Sequence, residues 1–151
     1  PPRSTLFPYT TLFRSLKDLT NVEDLALLQP EDINSIGESY GEKLADLRNG
    51  IKTNQVRNIY SAIISIRTKL KNKNFVNNQL DEDLKTDLIL IKPKLAYATG
   101  REKKVKPLYD LLSKAIDCSI TSKNQVKSVT NLISLVETIV AYHKFFGGKD
   151  K

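Results

Sequence analysis

The stretch "QVKSVTNLISLVETIVAYHKFF", residues 125–146, decides the fold. Its apolar residues recur at three- and four-residue spacing, the period of an α-helix. They form two stripes, with Val126, Val129, Ile133, Val136 and Val140 on one and Leu132, Leu135, Ile139 and Tyr142 on the other. So wide an apolar arc belongs to a helix packed on more than one side, which puts this segment at the centre of a bundle. Ser122 with Gln125 reads as its capping box, and Gly147 with Gly148 as its stop.

Working outward from this helix, Leu108, Leu111, Leu112 and Ala115 predict an amphipathic helix over about 107–117. Before it, Asp81, Glu82 and Asp83 occupy the first turn of another helix, where the positive end of the macrodipole favours carboxylates. The trio is not read as a metal site, because no further acid or imidazole is spaced to complete the shell. Pro93 predicts a kink or break after Ile91, since proline removes a donor and clashes with the preceding turn, and Gly100 marks the end. If the helix resumes, Lys94 and Arg101, seven residues apart, share a face.

The run "NKNFVNNQ", residues 72–79, has four asparagines and reads as a connecting loop. Upstream of it, Thr53 is the expected N-cap of a helix lined by Val56, Ile59, Tyr60, Ile63, Ile66 and Leu70. Arg57, Ser61, Arg67, Thr68 and Lys71 fall away from that stripe. Pro30 suits the first position of an earlier helix, in which Gly37 and Gly41 each cost roughly 1 kcal/mol against alanine, so this part is expected to be the least firmly helical. Gly50 is expected to end it. Thr20 with Glu23 predicts a cap for a short helix over "NVEDLALL". The expected fold is all-α, a compact bundle of about five helices. It is one domain over 16–151, with an acidic N-terminal helical segment over 16–49 and the remaining helices over 50–148. There is no repeat of the solenoid kind.

The stretch "TLFPYTTLFRS", residues 5–15, can be encoded by a common adapter oligonucleotide of short-read sequencing, and the match runs through all eleven residues. The chain starts at Pro1 and contains no methionine. Residues 1–15 are therefore expected to be adapter read-through, not native protein, and carry no functional reading.

With 151 residues, 40% hydrophobic and 27% charged, the chain has the composition of a globular domain, neither disordered nor membrane-spanning. No apolar run approaches the roughly 20 residues a spanning helix needs. The single cysteine, Cys118, excludes an internal disulfide and fits a reducing cytoplasm. The net charge is +7, unevenly spread. Residues 16–47 hold two basic and eight acidic side chains, residues 48–73 seven basic and none acidic, and residues 92–106 six basic and one acidic. Two basic blocks set in a near-neutral remainder point to a surface that faces a polyanion.

Catalytic constellations are missing. A nucleophile needs a base beside it, and the chain offers only Cys118 and His143, each better explained by packing at a helix end. One cysteine and one histidine cannot supply a zinc shell. Neither GxxxxGK[ST] nor GxGxxG occurs, so no phosphate-cradling cofactor loop is present. The expected activity is binding without catalysis, with no cofactor and no metal.

Three segments in order, "GIKTNQVRNIY" (50–60), "LILIKPKLAYATGREKKVKPL" (88–108) and "LISLVETIVAYHKFFGG" (132–148), resemble the small subunit of the type III-A CRISPR effector, the Csm complex. The matching positions are Thr53, Arg57 and Asn58; Lys92, Lys94, Tyr97, Gly100 and Arg101; and Glu137, Ala141, Tyr142, His143 and Lys144. Thr138 stands where the family often has alanine, and residues 16–49 show no family pattern. The resemblance implies a small helical subunit without catalysis of its own, acting in antiviral defence. Several copies would stack beside the backbone subunits, with the large subunit also in the assembly, along the channel that holds guide RNA and target RNA.

Phosphate contacts require arginine and lysine on rigid elements and carry no sequence information, as suits a protein that must accept any guide. Arg57, Arg67, Lys92, Lys94, Arg101, Lys103 and Lys104 are the candidate RNA-binding residues, with Arg57 and Arg101 foremost because they sit in the motifs. The plain alternative for that pair is a salt bridge to the acidic segment. Tyr97 and Tyr142 could stack on bases, although an aromatic at helical spacing more often belongs to the core. Two other functions compete: a helical oligomerising or adaptor protein with no nucleic-acid contact, and a helix-turn-helix DNA binder. The second lacks a short turn joining two helices with a base-reading face. Self-association is expected in each case, through head-to-tail contact between acidic and basic segments.

Overall fold

The computed structural model describes residues 19, 20, 22–46 and 50–147. The adapter-like stretch and Gly148 lie outside the described residues. Within them the chain forms six α-helices and no strand: α1 (Pro30–Ala45), α2 (Thr53–Lys71), α3 (Glu82–Ile89), α4 (Ile91–Arg101), α5 (Lys106–Ile120) and α6 (Gln125–Phe145). Counting α3 and α4 as one broken arm gives the five expected.

The last helix is the axis of the molecule. α1, α2, α5 and a 3-10 turn at Leu25–Leu27 all pack on α6, while α4 packs on α5 and α3. Val129, Leu132, Ile133, Leu135, Val136 and Ile139 are all buried, so both stripes of α6 find partners. They join Val56, Ile59, Ile63 and Ile66 of α2 and Leu108, Leu111, Leu112 and Ala115 of α5 in one contiguous core. α6 ends where Gly147 adopts a positive φ of 86°.

The α1–α6 pair makes the most extensive helix contact of the bundle. Here the expectation of a weak helix fails. α1 is continuous for 16 residues, and its two glycines lie against α6. A Cβ on Gly37 would fall 2.7 Å from Cβ of Thr138, and one on Gly41 would fall 2.9 Å from the carbonyl carbon of Tyr142 and 2.9 Å from the amide nitrogen of His143. The glycines thus permit an approach too close for any side chain, and burial along α6 outweighs their poor helix propensity. Gly50 does not end α1, which stops at Ala45.

Several local expectations give way to tertiary contacts. Within "NVEDLALL" the described residues 22–28 form only the 3-10 turn, because the Asp24 carboxylate accepts from the Ala26 N–H at 3.0 Å and is held by Ser122 at 2.7 Å. Ser122 is therefore not the cap of α6; Asn124 is, accepting from the Lys127 N–H at 3.0 Å. Lys52 precedes α2, and Thr53 is its first helical residue, with a buried hydroxyl that has no partner among the described residues. α3 breaks at Leu90, one residue before the expected point: Pro93 can neither bond to the Ile89 carbonyl nor avoid its ring's clash with it. Gly100 lies inside α4, and α5 runs from Lys106 to Ile120, so Cys118 is on the helix and not beyond it.

Buried polar groups fix how the connections sit on α6. Asn131 donates to the Leu25 carbonyl at 2.9 Å, and His143 Nε2 lies 2.9 Å from the Ile51 carbonyl. Gln125 accepts from the Leu80 N–H at 2.8 Å and donates to the Ile120 carbonyl at 2.7 Å. The loop it anchors turns through Asn77 and Asn78, both with positive φ, a conformation asparagine tolerates better than most residues.

Two outcomes follow for urea denaturation. Gly41→Ala should destabilise by about 1–3 kcal/mol, because its methyl meets backbone that cannot move, whereas Gly100→Ala, with open space around it in a helix, should stabilise by about 0.5–1 kcal/mol. Asp24 is held below the usual carboxylate range, first by Ser122 and then by the Ala26 N–H and Ser128. Its folded pKa is depressed, so its stabilisation is present above about pH 4 and lost as pH falls through the lowered pKa. Asp24→Asn should cost about 1–2 kcal/mol at neutral pH and flatten that acid limb.

Candidate nucleic-acid interface

The start of α2 and the length of α4 line the two sides of an open groove of about 600 Å³. Lys52, Lys94 and Arg101 stand around it with one carboxylate, Glu102, and Asn54, Gln55, Asn58 and Tyr97 also line it, so its lining is cationic by three charges to one. The floor is apolar, formed by Ile59 and Ala62 of α2 and by Leu95 and Ala98 of α4. The break at Leu90 sets this geometry, since it lets α4 pack on α5 independently of α3. Lys94 and Arg101 therefore do share a face, as their spacing predicts. Lys103 and Lys104 sit just past α4 on a 3-10 turn, Lys103–Val105, and are exposed.

The seven candidate cations divide into free and engaged. Among the described residues Arg57, Lys94, Lys103 and Lys104 make no ion pair, and Arg101 makes only a cation–π contact, its guanidinium 5.9 Å from the Tyr97 ring centroid. Arg57 is exposed but turned about a third of the way round α2 from the groove. Arg67 is engaged with Glu137 at 2.6 Å, and Lys92 with Asp117 at 2.8 Å. Neither Arg57 nor Arg101 pairs with the acidic segment among the described residues. Sequence reasoning passed over Lys52, Asn54 and Ala62 as groove residues. Lys52 was visible only as part of the basic block, and its meeting with α4 depends on tertiary packing.

The other charged groups are local. Lys73 bridges Asp81 at 2.8 Å and Asp83 at 3.2 Å, so the acidic trio at the start of α3 is already neutralised in part by an ammonium. Asp81 is lowered by that Lys73 bond and then by the Leu84 N–H it caps, and Lys73 is correspondingly raised by Asp81. Lys69 is raised by its bond to Asp87. Among the described residues no helix is long and apolar enough to cross a membrane.

Tyr97 is 68% exposed and so is not a core residue, whereas Tyr142 is half-buried and donates to Asn34 at 2.8 Å. Cys118 and His143 do not form a dyad. Cys118 is within electrostatic reach of Asp24, which bonds Ser128 on the first turn of α6, and His143 is fifteen residues beyond Ser128, roughly 20 Å along the helix. His143 is 1% exposed and engaged with the Ile51 carbonyl.

A small all-α bundle with an open groove edged by Lys52, Lys94 and Arg101 is the class of protein that this fold and site define. The model of the family described as Csm2 Type III-A matches residues 28–149, and the chain belongs to that family, the small subunit of the type III-A Csm complex. The match begins at residue 28, so the family pattern takes in most of the acidic segment and does not start at Gly50. The chain is 30% identical over 118 residues to the "CRISPR system Cms protein Csm2" of Enterococcus italicus, spanning 77% of this chain and 82% of that protein. It is also 30% identical over 101 residues to the protein of that name from Streptococcus thermophilus, spanning 66% of this chain and 76% of that protein.

Burial pushes the Cys118 thiol up, and that leaves less of the reactive thiolate. Alkylation of the folded chain at pH 8 should be at least about fivefold slower than that of a free thiol and should accelerate on unfolding. A rate faster than the free thiol would restore an activated cysteine.

Proposed function

We propose that this chain acts as a non-catalytic subunit of an RNA-guided type III-A effector in the cytoplasm, stacking along the backbone subunits and holding guide and target RNA through basic side chains in antiviral defence. The observation that carries the reading is the set of cations without acidic partners on α2 and α4. Lys52, Lys94 and Arg101 surround one groove, Lys103 and Lys104 follow α4 on an exposed turn, and Arg57 stands on the same helix as its α2 wall. Like charges left together cost stability, and a phosphate backbone offsets that cost. The contacts would be to phosphate and so indifferent to sequence, as a subunit serving any guide requires. Self-association would serve the same role, with exposed Glu31, Glu38 and Glu42 on α1 as the counterpart to these cations on a second copy.

Binding of the chain to an RNA duplex and to a single strand across a salt series tests this. Affinity should fall steeply with salt, and the Arg57→Ala/Arg101→Ala pair should make the slope shallower by about 2, one counterion for each phosphate that the protein no longer neutralises. Binding that is independent of salt, or a slope unchanged in the double variant, would remove both arginines from the phosphates and favour an adaptor that meets an acidic protein.

A further inference from the structure

We infer that the groove between α2 and α4 seats one unpaired nucleotide of an RNA strand, its base laid on Tyr97 and its phosphate among Lys52, Lys94 and Arg101. This rests on the RNA-binding reading above and narrows it to a ligand. Cations alone would suffice to track a phosphate backbone, and the groove holds more than cations.

Its volume of about 600 Å³ lies within the roughly 300–1,000 Å³ typical of small-molecule sites. The floor of Ile59, Ala62, Leu95 and Ala98 suits the flat face of a base and would repel a hydrated phosphate. Asn54 and Asn58 line the same space, and their side chains make no hydrogen bond among the described residues, so donors and acceptors remain for a base edge. The Arg101 guanidinium lies over one face of the Tyr97 ring, 5.9 Å from its centroid, and Tyr97 is still 68% exposed, so a base would stack on the face that Arg101 does not cover. Lys52 and Asn54 belong to the opening of α2, where the positive end of the helix dipole favours an anion, although the Lys52 N–H itself is taken by the Gln55 side chain at 3.0 Å. Bases inside a duplex are stacked on their neighbours and cannot reach Tyr97, so the occupant is unpaired.

A short single-stranded RNA carrying 2-aminopurine at its centre, and the same strand annealed to its complement, would be titrated with the chain, with Tyr97→Ala and with Tyr97→Phe. Tyr97 is exposed, so neither substitution threatens the fold. The unmodified chain should bind the single strand and quench 2-aminopurine. Tyr97→Ala should weaken that binding about tenfold and lose the quench, Tyr97→Phe should keep both, and duplex affinity should stay within about twofold throughout. If Tyr97→Ala binds and quenches like the unmodified chain, the nucleotide site is overturned. The RNA-binding reading then survives only if the salt slope still answers to Arg57 and Arg101. A chain that binds neither form of the RNA overturns both.

Discussion

A helix with apolar side chains around most of its circumference must be covered on every side, and α6 imposes that demand on the rest of the chain. One neighbour could bury one stripe; two stripes need at least two. α1 and α2 supply most of that cover, with α5 and the Leu25–Leu27 turn completing it. Burial at roughly 25 cal/mol per Å² makes each fully covered leucine or isoleucine worth about 2–3 kcal/mol against exposure. That outweighs what any single cap or glycine costs locally. The glycines of α1 show the balance: two poor helix formers persist in an unbroken helix because only their missing side chains let α1 meet α6 at backbone distance.

Apolar cover alone would leave the neighbours free to slide along α6. Asn131, Gln125, Ser128 and His143 prevent this, because each is buried and each has a hydrogen bond to make. Moving the Leu25 turn by one residue would strand the Asn131 amide, and moving the Ile51 segment would strand the imidazole. An orphaned buried polar group costs about 1–3 kcal/mol, so a few such bonds fix the register at which α1 and α2 begin. They also fix where Lys52 and Asn54 stand relative to α4.

Much of this could be read from the sequence, and the failures share a cause. Helical periodicity is local, so the stripes of α2, α5 and α6 and the break near Pro93 were legible. Lys94 and Arg101 were legible as a pair for the same reason, being two turns apart on one helix. Caps are also local in form, yet Ser122 and Thr53 were misjudged because distant partners decided their roles: Asp24 took the Ser122 hydroxyl, and burial took that of Thr53. Gly37 and Gly41 carry no sign of the surface they meet. The groove needed two helices to meet, and nothing in either basic block announces the other.

Whether an ion pair removes a cation from the binding surface is a question of magnitude. Arg67 and Glu137 are each more than a third exposed, and so is Asp117 opposite Lys92. Pairs that wet contribute at most about 1 kcal/mol, since water screens the attraction and two long side chains lose freedom. A phosphate oxygen offers a charge of the same sign as a carboxylate, and each contact also releases a condensed counterion. Exchange of Glu137 for phosphate at Arg67 would therefore be close to neutral. The free cations differ in that they give up no protein partner on binding. On the proposed reading Lys94 and Arg101, already set around an apolar floor beside Tyr97, would give up the least on meeting a phosphate, whereas Arg67 and Lys92 would each first release a carboxylate.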